Sequence, residues 1–206
     1  MGEPILTTPR LVLRGWQATD RVPFAEMSQD EEVMRYFPGL LSRTESDAQI
    51  EKMQAMIEER GWGFWVVERR KDGAFIGLTG LNQKGHDFPN GPLVEIGWRV
   101  ARRFWRRGYA LEAASAALRF AFEELNLKEV YAFTVLDNTP SRQLMRRLGL
   151  NDLHCDFDHP ALAEGDPLCR HCLYMISAEQ WRARPPEQSG RQTDSTSSKD
   201  DACIIQ

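Results

Sequence analysis

The sequence predicts a single α/β domain, on three observations. Residues 64–82 hold two β-rich runs around a Lys-Asp-Gly turn. Residues 110–125 carry apolar side chains at helical spacing, and Glu129–Val135 returns to a strand pattern before a helix opened by Pro140. At 206 residues, one domain with a sizeable core is the default.

Each element follows from local chemistry. Leu11–Arg14 reads as a strand after the turn-forming Thr8 and Pro9. Asp20 is placed to cap a helix, and Thr44 or Ser46 to open another that runs to about Arg60. Residues 64–70 and 74–82 form the hairpin. Residues 84–92 collect His, Asp, Pro, Asn and Gly, the composition of a loop, and 94–100 is the next strand. The 110–125 helix puts Leu111, Ala114, Leu118, Phe122 and Leu125 on one face. The helix from Pro140 ends at Gly149, where a left-handed cap costs little, and 171–176 alternates as a strand.

Composition bounds the function. Hydrophobic residues at 42% and charged residues at 27% describe an ordinary globular chain, and a net charge of −4 gives no global pull toward DNA or an anionic membrane. No apolar run reaches the length of a membrane span and the first six residues lack a basic-then-apolar signal, so the cytoplasm is expected. Four cysteines suit reduced thiols better than a disulfide framework. Residues 182–202 carry almost no apolar side chain, so 182–206 is expected to be a disordered tail behind a domain of residues 1–181. The last four residues, Cys203 to Gln206, match a prenylation box in form, but no polybasic stretch precedes them and the match is read as incidental.

The chemistry concentrates between residues 95 and 149. Gly108 lets backbone approach a ligand closely, and the helix that follows offers unpaired N–H groups at a positive dipole end. Arg102, Arg103, Arg106 and Arg107 surround that point, which makes a pyrophosphate cradle.

Four segments then carry a resemblance: 6–14, Leu-Thr-Thr-Pro-Arg-Leu-Val-Leu-Arg; the strand beginning Glu95-Ile-Gly-Trp with its Arg-Gly-Tyr-Ala-Leu-Glu-Ala loop and helix; Asn138 and Ser141 before Leu148-Gly-Leu; and 173–181, Leu-Tyr-Met-Ile-Ser-Ala-Glu-Gln-Trp. In this order they resemble the Gcn5-related N-acetyltransferases (GNAT), and among them the ribosomal-protein-alanine N-acetyltransferase-like (RimJ/RimL-type) branch, over about residues 5–181. The resemblance implies an acetyl-CoA-dependent N-acetyltransferase domain with a mixed, mostly antiparallel sheet. It is splayed between two central strands, 94–100 and 129–135, and flanked by helices. Cofactor contacts fall on the backbone of Trp98, Arg99 and Val100, on Arg103, Arg106, Arg107, Gly108, Tyr109 and Ala110, and on Asn138 and Ser141. The family's loop opens with Gln or Arg, and here that position is Trp105.

Acetyl transfer needs an amine relieved of its proton and a thiolate given one. Glu95 is the candidate base, against the alternative of a solvated strand glutamate. Glu112 lies in a first helical turn, where a carboxylate complements the dipole. The tyrosine that the family often uses as acid falls here on Met145, which carries no proton. Ser141 is then the candidate donor, with a cofactor contact or helix-start hydroxyl as its alternative. Tyr131 reads as a sheet residue. Asn138 has an amide able both to donate to and accept from a pantetheine arm.

The implied partners are acetyl-CoA and an amine acceptor, either a protein N-terminus or a small molecule, with no metal, no DNA and no membrane. Arginine runs at 102–107 and 142–147 leave RNA or ribosome contact as a minor reading, since the cofactor phosphates account for the first. Cys169, Cys172 and the nearby histidines read as thiols and loop residues rather than a zinc site, and 157–160 and 164–167 as walls of the acceptor pocket. The protein is expected as a monomer or homodimer, and the alternative to catalysis is an acetyl-CoA sensor without turnover.

Overall fold

The computed structural model describes residues 4–184. Among them the strands are β1 (Pro4–Thr7), β2 (Leu11–Arg14), β3 (Phe64–Arg69), β4 (Ala74–Lys84), β5 (Leu93–Val100), β6 (Glu129–Val135), β7 (Asn151–Asp152), β8 (Phe157–Asp158) and β9 (Arg170–Ser177). The helices are α1 (Arg21–Ser28), α2 (Glu31–Met34), α3 (Arg43–Arg60), α4 (Tyr109–Glu123), α5 (Thr139–Arg147) and α6 (Ala178–Arg182). The strands form one sheet in the order β1-β2-β3-β4-β5-β6-β9-β7, with β8 also on β9. Every pairing is antiparallel except β5 with β6, which is parallel and is bridged by α4. This is the mixed, mostly antiparallel α/β domain expected.

Helix α4 covers one face of the sheet. Its Ala113, Ala114, Ala117 and Ala121 are fully or nearly buried, small side chains that let the helix axis approach the strands, and the Trp65 ring meets Phe120 edge-on at 5.3 Å. Helices α1 and α3 take the opposite face through Phe24, Ile50, Met53 and Ile57, with Trp16 edge-on to Phe24 at 5.1 Å. A smaller apolar cluster, Phe88, Leu93, Tyr131, Phe157 and Leu173, gathers beside β5 and β6. No helix among the described residues is long and apolar enough to cross a membrane.

Several local expectations change. Helix α3 opens at Arg43 rather than at Thr44 or Ser46, because Ser42 and Glu45 form a reciprocal capping box. Ser46 is instead fully buried. Asp20 does not cap α1: its carboxylate is buried against the Arg14 guanidinium at 2.7 and 2.8 Å and accepts from the Gln17 amide of the preceding 3₁₀ turn. Strand β4 runs on to Lys84, so the loop begins one residue later than read. The boundary placed after Trp181 falls inside α6, which Ser177 and Gln180 cap reciprocally. Arg184 beyond it stacks on Trp181 at 4.8 Å and donates to the Arg147 carbonyl. The rest of the expected tail, with its Cys203 box, lies outside the described residues.

One close approach fixes the sheet beneath the site. The Gly63 carbonyl accepts from the Leu81 amide at 3.0 Å and stands where a Cβ on Gly80 would go. Backbone cannot yield as a side chain can. Gly80→Ala is therefore expected to lose about 2 kcal/mol of stability, read as a lower urea midpoint at unchanged slope.

Candidate active site

The seam between β5 and β6 organises the site. A single register pair, Glu95 with Tyr131, joins the two strands, although β5 continues to Val100 and β6 to Val135. Beyond that pair the ladder is not continued, so the β6-facing edge of β5 keeps backbone groups for another partner. Trp98, Arg99 and Val100, the residues expected to offer those groups, lie in the parted half and are part exposed. Because the strands are parallel, both emerge at one end of the sheet. Helices α4 and α5 start there, after connections of eight and three residues.

At the start of α4, Gly108 has φ +75° and Arg106 φ +58°, and no side chain caps the helix. Its first amides are thus left for an anion, with exposed Arg103, Arg106 and Arg107 around them. Glu112 is structural. It accepts from the Thr8 hydroxyl at 2.6 Å, from the Arg10 amide at 2.9 Å and from Arg10 Nε at 2.6 Å. Arg10 also donates to the Arg107 carbonyl and lies over the Tyr109 ring at 4.7 Å. Tyr109, expected among the cofactor contacts, opens α4, and its side chain is buried edge-on to Phe104. Ala110 is part exposed in the same turn. Trp105, where the family has a polar residue, is 42% exposed and donates its indole N–H to the Val100 carbonyl at 2.7 Å.

At α5 the amide of Asn138 is largely committed within the protein. Its Oδ1 caps the helix by accepting from the Ser141 amide at 3.2 Å, and its Nδ2 donates to Thr134 Oγ1 at 2.9 Å. The expected clamp is thus a capping residue first, with one lone pair and one N–H to spare. Ser141 is part buried, and its hydroxyl has no protein partner among the described residues. Met145 is 1% exposed and fills the core, so packing accounts for an apolar residue there. Tyr131 is the sheet residue expected, its hydroxyl donating to Glu129 at 2.7 Å and its pKa pushed up to about 12, first by burial.

Glu95 lies at the root of the seam with 9% exposure. Burial raises its pKa above the usual carboxylate range, opposed by the Lys84 ammonium at 3.1 Å and the Asn82 amide at 3.0 Å. Neither partner was found by sequence reasoning, although their two-residue spacing along one strand face is the available signal. The Lys84 ammonium also lies over the Phe88 and Phe133 rings at 5.0 and 5.5 Å. These rings continue into Phe157, His159 and His171, the two imidazoles 4.9 Å apart. Burial pulls the His159 pKa down to about 4, so it is neutral at pH 7. Two of the segments read as pocket wall and thiol loop therefore meet beside Glu95. Among the described residues no three His, Cys, Asp or Glu side chains converge as metal ligands. Across the open end, the Tyr36 hydroxyl donates to the Asp137 carbonyl at 3.4 Å, a contact with no signal in the sequence pattern. The second arginine run is partly internal, since Arg142 serves the Leu136 carbonyl and Tyr174.

The capping role of Asn138 is directly measurable. Asn138→Ala is expected to cost about 1 kcal/mol in chemical denaturation, and Asn138→Ser to recover most of it.

The Acetyltransferase (GNAT) domain family matches residues 10–151. The FsC-acetyl coenzyme A-N(2)-transacetylase of Aspergillus fumigatus is 31% identical over 194 residues, covering 87% of this chain and 78% of the relative. The crystal structure of the acetyltransferase (GNAT family) from Bacillus anthracis shares the fold at TM-score 0.71 and 24% identity, over 84% of this chain and 98% of that one. The Mycobacterium smegmatis RimJ in complex with CoA-disulfide does so at TM-score 0.66 and 21% identity, over 82% and 83% of the two chains. With a parted seam, an uncapped helix start and a family match over most of its length, this chain belongs to the GNAT acetyltransferases and is an acyltransferase of the N-acetyltransferase kind.

Proposed function

We propose that the protein moves an acetyl group from acetyl-CoA to a primary amine, by direct attack within a ternary complex. The observation that carries this reading is the seam itself: unpaired β5 backbone, two helix starts at its open end, and a buried carboxylate at its root. The uncapped amides of α4 and Gly108 suit the pyrophosphate, and the edge of Trp98, Arg99 and Val100 suits the pantetheine amides. Glu95 takes the proton of the incoming ammonium, directly or through water, and the Ser141 hydroxyl supplies one to the departing thiolate. The acceptor is an amine, of a protein N-terminus or of a small molecule. The reaction is placed in the cytoplasm, with the enzyme a monomer or homodimer. The alternative, an acetyl-CoA sensor without turnover, draws no support from the family match or the relative named above.

Calorimetry with acetyl-CoA and thiol release against a panel of amines test this reading together. Gly108→Trp forces a bulky side chain onto a left-handed backbone over the helix start, and is expected to weaken acetyl-CoA binding more than tenfold in a protein that still melts cooperatively. Unchanged affinity would move the cradle elsewhere.

The proton steps are read in pH–rate profiles. Catalysis needs Glu95 ionised, and burial raises its pKa, so the acidic limb of the wild-type profile is expected above the ordinary carboxylate range. Glu95→Gln should lower turnover about 10²- to 10⁴-fold and flatten that limb. Lys84→Met removes a cation that favours the anion, so the limb should move to higher pH. Ser141→Ala should lower turnover less and leave the limb in place. A Glu95→Gln enzyme with wild-type rates at every pH would end the base assignment.

A further inference from the structure

The side chain of Arg99 takes no part in the chemistry above, which uses only its backbone. Its guanidinium stands 4.2 Å from the Phe37 ring centroid and 5.8 Å from that of Phe24, with Ser28 Oγ at 3.5 Å from Nη1. Its buried Nε has no partner, and no carboxylate among the described residues comes within ion-pair distance. Burial alone pulls its pKa down to about 10, with no anion acting in the other direction. Buried cations are normally paired. Arg14 is, with both Asp20 and Glu68. Arg99 is a part-exposed cation whose buried Nε still has a hydrogen bond to give.

Its position gives that donor a purpose. Glu95, Gly97 and Arg99 alternate onto the same face of β5, opposite α4 and toward α1. Four residues along a strand separate Glu95 from Arg99, about 13 Å between Cα atoms. Between them Gly97 contributes no side chain. The Phe64 ring crosses over it, so that a Cβ there would come within 3.0 Å of a ring carbon. One face of one strand thus presents a base, an apolar floor and an unpaired guanidinium in line.

We infer that Arg99 receives a carboxylate of the acceptor, so that the favoured substrates are amines carrying a carboxylate a few bonds away, such as ω-amino acids and short peptides. A single planar guanidinium matches one carboxylate edge-on through two parallel hydrogen bonds. The pyrophosphate of the acyl donor is assigned a separate place, at the uncapped start of α4. Simple alkylamines leave Arg99 unpaired and are correspondingly poor acceptors. The inference rests on the acetyl-transfer reading above.

The test compares matched acceptors that differ in one group: β-alanine, 4-aminobutyrate and glycylglycine against their carboxamides, with acetyl-CoA as donor. The wild type is expected to prefer at least one carboxylate over its amide by tenfold or more in kcat/KM, mainly through KM. Arg99→Met should lower that preference at least tenfold, and Arg99→Lys should restore part of it. A merely structural arginine would reduce both members of a pair in proportion and leave the ratio unchanged, which overturns the inference. Equal wild-type rates on carboxylate and carboxamide overturn it as well, and this comparison needs no variant to fold. No acetylation of any amine, with acetyl-CoA still bound, would instead count against the acetyl-transfer reading.

Discussion

A parallel pair of strands set inside an antiparallel sheet cannot be closed by a hairpin, so the chain must cross the sheet between them, and α4 makes that crossing. The consequence is geometric. Two strands leave the sheet at one end, each followed by a helix, and the ladder holding them together is a single pair. If β5 and β6 were zipped along their full length, the backbone groups that the parted seam leaves free would be consumed by one another. Tyr131 and Glu95 hold the sheet together at the last point where it still needs to be closed.

Burial acts on the two charged residues of β5 in opposite senses. At Glu95 it opposes the anion, and Lys84 with Asn82 counters part of that cost, leaving a carboxylate that takes a proton more readily than an exposed one. At Arg99 it opposes the cation, and no anion among the described residues compensates. Guanidinium stays charged near neutrality even so. The same loss of water thus prepares one group to change its charge and the other to look for a counter-charge.

How much was legible in the sequence depended on how local each cause was. The 110–125 helix, the 64–82 hairpin and the left-handed Gly149 cap were readable because their signals lie within a few residues of one another, and φ at Gly149 is +80°. Ser42 was passed over in favour of Thr44 and Ser46 because all three are plausible caps, and only the reciprocal Glu45 contact separates them. Asn138 was readable as important, but its commitment to Thr134 and Ser141 was not, since a single amide suits a ligand and a helix end equally well. The set of Lys84, Phe88, Phe133, Phe157, His159 and His171 comes from four separate stretches, and only the folded sheet brings them together. Arg99 was read as backbone because nothing in a strand pattern shows that its head group goes unpaired.

The tie from Glu112 to Thr8 and Arg10 joins the first described strands to the uncapped start of α4. Arg10 completes the connection through the Arg107 carbonyl, one residue before Gly108. Through these bonds the loop and the turn between β1 and β2 are coupled, and ordering of either favours the other by the same free energy. Hydrogen-exchange protection of the N-terminal hairpin becomes, in this protein, a report on whether a loop about a hundred residues further along the chain is filled.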